Sequence, residues 1–142
     1  MSEQVATLEL PPTARSSGVG RRFVTEALID WGLLGLLDAA ALLTSEVVTN
    51  AVLHARTAVT ITVLREGSDS VTVRVSDGSR LRPQLRAHSR EATTGRGVHL
   101  LDQLASSWGV SVDEGGKTVT FTLSGGVDPW SAYTDAGWEV DL

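Results

Sequence analysis

Apolar side chains recur in two rhythms along this chain. Between Ala14 and Trp31 they fall at every fourth position, at Val19, Phe23, Ala27 and Trp31, which predicts a helix with one apolar face. Gly18 and Gly20 weaken its first turns. After a turn at Gly32 to Gly35, Asp38 stands where it can cap a second helix running to about His54. The other rhythm is alternation. It predicts strands over Val5 to Leu10, Thr57 to Arg65, Ser70 to Ser76, Trp108 to Val112 and Lys117 to Leu123. Pro11-Pro12 stops the first, which reads as an edge strand. Glu66-Gly67-Ser68-Asp69 and Asp113-Glu114-Gly115-Gly116 predict hairpin turns. Arg80 to Thr94 has neither rhythm and reads as a long loop. It ends at Gly95-Arg96-Gly97, which leads into a third helix through Val98, Leu101, Leu104 and Ala105.

Three helices and about five strands predict an α/β chain of the α+β kind. The expected form is a two-layer sandwich with a mixed, mostly antiparallel sheet and the helices on one face. The other face, with Thr60, Thr62, Thr72, Arg74, Thr120 and Thr122, suits water. The folded domain is expected over residues 1–123. Residues 124–142 hold Asp128, Asp135, Glu139 and Asp141 with no Lys or Arg, and read as a flexible acidic tail.

Composition narrows the classes. A length of 142 residues fits one domain able to bury an ordinary core. With no cysteine, neither disulfides nor a thiolate metal site are available. A net charge of -5 argues against a general nucleic-acid binder. Met1 to Leu10 lacks the basic start and apolar run of a signal peptide. The apolar window Ala27 to Leu43 is broken by Asp30, Gly32, Gly35 and Asp38, which argues against a membrane span. The expectation is a soluble cytoplasmic protein with no direct nucleic-acid or membrane partner.

Candidate chemistry begins in the second helix. Glu46 and Asn50 are four residues apart, so they share a face about one turn apart. A carboxamide oxygen is a hard ligand suited to Mg²⁺, and a carboxylate can accept a proton from an attacking hydroxyl. The same spacing also fits the solvated stripe of an amphipathic helix. Asp77-Gly78-Ser79 follows a valine-rich strand. There a carboxylate could accept an exocyclic amine while glycine admits a flat ring; a simple β-turn uses the same residues. Gly95-Arg96-Gly97 at a helix start offers backbone N–H groups and a helix dipole to phosphate, or is a flexible junction. Arg80, Arg82, Arg86, Arg90 and Arg96 are five of the chain's 11 arginines. They lie in a loop long enough to close over a triphosphate, or form a solvated charged surface.

The order of these features, from Ser45-Glu46-Val47-Val48-Thr49-Asn50 through Asp77-Gly78 and Thr94-Gly95-Arg96-Gly97-Val98 to Gly116-Lys117-Thr118, resembles the GHKL ATPases of the Bergerat-type fold. More narrowly it is similar to the stand-alone anti-sigma-factor serine kinases. The resemblance covers roughly Val5 to Leu123. It implies that Asn50 holds Mg²⁺ bridging the ATP phosphates and that Glu46 is the general base. It also implies that Asp77, with Gly78, binds adenine, and that Thr118 sits near the base. Gly95 and Gly97 would cradle phosphate, with Arg96 and Val98 also binding the nucleotide, beneath a lid over about 80–96. Ser79 stands where the fuller motif has glycine, and Val98 where leucine is frequent.

The implied function is an ATP-dependent protein-serine/threonine kinase. It would bind a sigma factor, phosphorylate that factor's antagonist, and use ATP and Mg²⁺. An alternative is an ATP-gated switch that sequesters a partner without phosphorylating it. A third is an interaction domain that has lost the nucleotide. A homodimer through the Val5 to Leu10 edge is also expected by analogy.

Overall fold

The computed structural model describes residues 4–79 and 99–125. The expected lid, the Gly95-Arg96-Gly97-Val98 motif and the acidic tail lie outside them. Five strands form one sheet: β1 (Val5–Leu10), β2 (Val59–Arg65), β3 (Ser70–Asp77), β4 (Ser107–Asp113) and β5 (Gly116–Ser124). Their order is β1-β2-β3-β5-β4, and every described pairing is antiparallel. Helices α1 (Arg15–Asp30) and α2 (Leu37–His54) connect β1 to β2, and residues 99–104 are helical ahead of β4.

The alternation in the strands explains the layering. Val59, Ile61 and Val63 of β2, Val71, Val73 and Val75 of β3, and Val119, Phe121 and Leu123 of β5 point to one side and are buried. Helices α1 and α2 cover that side and pack on each other. The opposite face carries hydroxyls that bond across strands, Thr72 to Thr122 and Ser76 to Thr118, each at 2.8 Å.

Gly20 lets α1 sit close to the sheet: a Cβ there would lie 2.8 Å from Ile61 Cδ1 and 3.5 Å from a Val48 methyl. The residue that weakens helix propensity thus permits the helix to dock. Asp38 does not cap α2. A 3₁₀ turn over Leu34–Leu36 runs straight into the helix, and the cap position falls to Leu36 without a side-chain bond. Asp38 lies in the first turn, where its charge complements the helix dipole. Leu34–His54 is long and apolar enough to cross a membrane by length and composition alone. In this fold it is the central helix, burying Ala40, Leu43, Val47, Val48 and Ala51.

Candidate functional site

Glu46 and Asn50 continue the line of Ala39 and Leu43 along α2, at successive spacings of four, three and four residues. Ala39 and Leu43 are 1% and 0% exposed. The polar pair therefore extends a buried face rather than a solvated one, and both residues are half-buried. Asn50 Oδ1 is shut off from solvent and has no hydrogen-bond partner among the described residues. A buried acceptor without a donor costs about 1–3 kcal/mol. A hard cation would satisfy that oxygen, so the donor fits the Mg²⁺ that the sequence implies. Among the described residues no group of three His, Cys, Asp or Glu could hold a metal. A cation here would need further oxygens, such as those of a phosphate chain.

Neighbouring hydroxyls hold α2 in this rotation. Ser17 Oγ on α1 donates to the Ser45 carbonyl at 3.3 Å, and Thr49 Oγ1 donates to Ser17 Oγ at 3.1 Å. Arg21 Nη1 donates to Ser45 Oγ at 3.3 Å. Ser45 and Thr49 precede Glu46 and Asn50 by one residue each, so the bonds that fix one face of the helix orient the next.

Asp77 is the last residue of β3, not a turn residue, because it pairs with Lys117 across the ladder. Its carboxylate does two things. Oδ1 accepts from the Ser79 backbone N–H at 2.7 Å, closing a local Asx turn. Oδ2 accepts from Lys117 Nζ at 2.6 Å. The side chains are only 2% and 6% exposed. Lys117 points inward because it shares the alternation of Val119, Phe121 and Leu123.

Register sets Lys117, rather than Thr118, beside the Asp77 carboxylate. Thr118 turns to the helix-free face, where its hydroxyl bonds Ser76. The sequence reading missed the lysine, although strand parity carried the signal: position 117 lies on the buried line of β5.

Gly78 is exposed, and its N–H donates to Thr57 Oγ1 at 2.7 Å. That bond ties the end of β3 to the loop just after α2, and so puts Asp77 at the end of the fold reached by the last turns of α2. Arg56 makes this loop with a left-handed φ of 59°, the conformation that commonly ends helices. Thr57 is thereby spent on the loop, and β2 starts at Val59 instead of Thr57.

A separate hollow of about 220 Å³ lies at the opposite end of the sheet, between the Gly32 to Leu36 turn and Ser68-Asp69. None of the candidate residues lines it.

The arrangement has a half-buried acid–amide pair on a helix and a clamped carboxylate at a nearby strand end. Known structures share the fold that carries it. The RsbU and RsbW domains of a Mycobacterium tuberculosis protein superpose with a TM-score of 0.66 at 20% identity, covering 84% of this chain and 32% of that one. The histidine kinase domain of a blue-light activated kinase from Erythrobacter litoralis superposes with a TM-score of 0.50 at 20% identity, covering 68% of this chain and 48% of that one. The chain thus spans a third to a half of those proteins. At this identity they establish the fold, which is the Bergerat type. No curated protein matches the chain in sequence. The family model described as a histidine kinase-like ATPase domain matches residues 10–123, and the chain belongs to that family.

Proposed function

We propose that this protein is an ATP-binding regulator, an anti-sigma factor that transfers phosphate from ATP to a serine on its protein antagonist. The observation that carries the reading is the Glu46–Asn50 pair on the buried line of α2, with the Asn50 amide oxygen lacking a donor. Membership of an ATPase family and likeness in fold to a structure that includes an RsbW domain support it.

In this reading Asn50 would hold the Mg²⁺ that accompanies the nucleotide, and that cation would neutralise charge on the phosphoryl group ATP supplies. Glu46 accepts the serine hydroxyl proton as the serine oxygen bonds to the γ-phosphorus and the bond to ADP breaks. Asp77 accepts a hydrogen bond from the adenine amine, with Gly78 against the ring. Gly95 and Gly97 would cradle phosphate, and Arg96 and Val98 would add nucleotide contacts. Positioning and electrostatics do most of the work in such a transfer, so a cation ligand, a base and a base clamp are enough.

Incubation with labelled ATP, Mg²⁺ and candidate antagonists tests it. Label should appear on an antagonist serine, and Glu46→Ala should abolish transfer while ATP still binds. Transfer that survives Glu46→Ala refutes the base. Nucleotide-dependent capture of a sigma factor with no phosphoserine product would replace the kinase by a switch.

A further inference from the structure

We propose that Lys117 is a positioning residue that makes the base subsite select adenine. The proposal rests on the nucleotide reading above and assigns a function to a side chain that reading does not use. Lys117 is the only lysine in a chain with 11 arginines, and it is buried against Asp77 with its ammonium 2.6 Å from Oδ2. The other oxygen, Oδ1, is held by the Ser79 N–H. The carboxylate is therefore clamped from both sides, with its plane fixed and its charge balanced.

The close approach is built into the backbone. Gly116, one residue before the lysine, has φ 139°, and a Cβ there would fall on the Asp77 carbonyl oxygen. Only glycine brings the start of β5 this near the end of β3, and the next residue is the lysine.

An ionised carboxylate is an acceptor only, with two lone-pair directions on each oxygen. The bonds to Lys117 and Ser79 leave acceptor capacity over. Adenine presents an exocyclic amine, a donor; guanine and hypoxanthine present a carbonyl oxygen at the same ring position. Acceptor facing acceptor leaves both unpaired, and a site built around one hydrogen-bond polarity rejects the other strongly. Without the ammonium, Oδ2 loses both its fixed partner and the charge that balances it, so the carboxylate no longer presents its acceptors to the base along a set direction and the polarity filter goes. Lys117 in this way fixes which base fits without itself needing to touch the base.

The test is titration calorimetry of the full chain with MgATP and MgITP, on the parent, Lys117→Met and Lys117→Arg, with a thermal melt of each. The parent should prefer ATP by about tenfold or more, Lys117→Met should bring the two nucleotides within about threefold, and Lys117→Arg should recover preference by restoring the charge. A purely structural lysine would lower both affinities together and leave their ratio alone. Should Lys117→Met fail to melt cooperatively, Lys117→Gln, which keeps a donor without the charge, is read in its place with the same expectation. An unchanged ratio in the uncharged variant, or a parent that binds ATP and ITP equally, overturns the proposal while the nucleotide reading stands. Failure of the parent to bind any nucleotide overturns the reading beneath it.

Discussion

Lys117 and Asp77 face each other across β5 and β3, ammonium to carboxylate at 2.6 Å, both nearly closed to solvent. Removing one partner of a buried pair strands the other charge. Lys117→Met or Asp77→Ala alone should each lower unfolding free energy by about 3–5 kcal/mol. Replacing both, as Lys117→Met with Asp77→Leu, should recover most of that loss. Urea denaturation of the three variants measures it, and additive losses would show that the two charges do not depend on each other.

Gly116 is predicted to tolerate nothing larger. A methyl group there meets the Asp77 backbone, and its φ of 139° disfavours any L side chain. Gly116→Ala should cost about 1–3 kcal/mol and should weaken nucleotide binding as well, because Lys117 moves with it. Gly115→Ala is the control. It is exposed, a Cβ there would meet only Asp113 Oδ1, at 3.4 Å, and the variant should bind like the parent.

Gly20 gives a graded case. Alanine gains about 1 kcal/mol of helix propensity over glycine, but its Cβ would meet Ile61 Cδ1 at 2.8 Å. That methyl is the flexible end of a side chain and can shift. Gly20→Ala should therefore lie within about 1 kcal/mol of the parent, whereas Gly20→Val should lose about 1–3 kcal/mol by overpacking. Melting temperatures separate the two.

Thr57 links the α2–β2 loop to the Asp77 end of the site through its hydroxyl, which accepts from the Gly78 N–H at 2.7 Å. Thr57→Val keeps the shape and removes the acceptor. It should cost about 1 kcal/mol of stability and loosen Gly78, so nucleotide affinity should fall further than stability alone explains. Calorimetry beside denaturation reads both.

Much of this was legible in the residues. Apolar alternation located β1, β2 and β3, since a strand with one buried face must repeat every second residue. The four-residue apolar spacing located α1 for the equivalent helical reason. The misreadings were at junctions. Asp38 looked like a cap, but the Leu34–Leu36 turn winds directly into α2 and leaves it no capping role. Asp77 looked like part of a turn, but cross-strand pairing with Lys117 keeps it in β3. Such outcomes depend on partners far away in sequence, which local composition does not encode. The Glu46–Asn50 spacing was visible at once. That the pair lies on the buried side of α2 was not, because only packing distinguishes a polar pair facing water from one facing a cleft.

The central claim is that the Asn50 carboxamide grips a divalent cation chelated by nucleotide. Titration calorimetry with ATP, in Mg²⁺ and in excess chelator, on the parent and on Asn50→Ala, tests it most directly. The account predicts micromolar binding to the parent in Mg²⁺, weakened at least about tenfold both by chelator and by Asn50→Ala, with no further effect of chelator on the variant. Equal affinity of parent and variant in Mg²⁺ would contradict it.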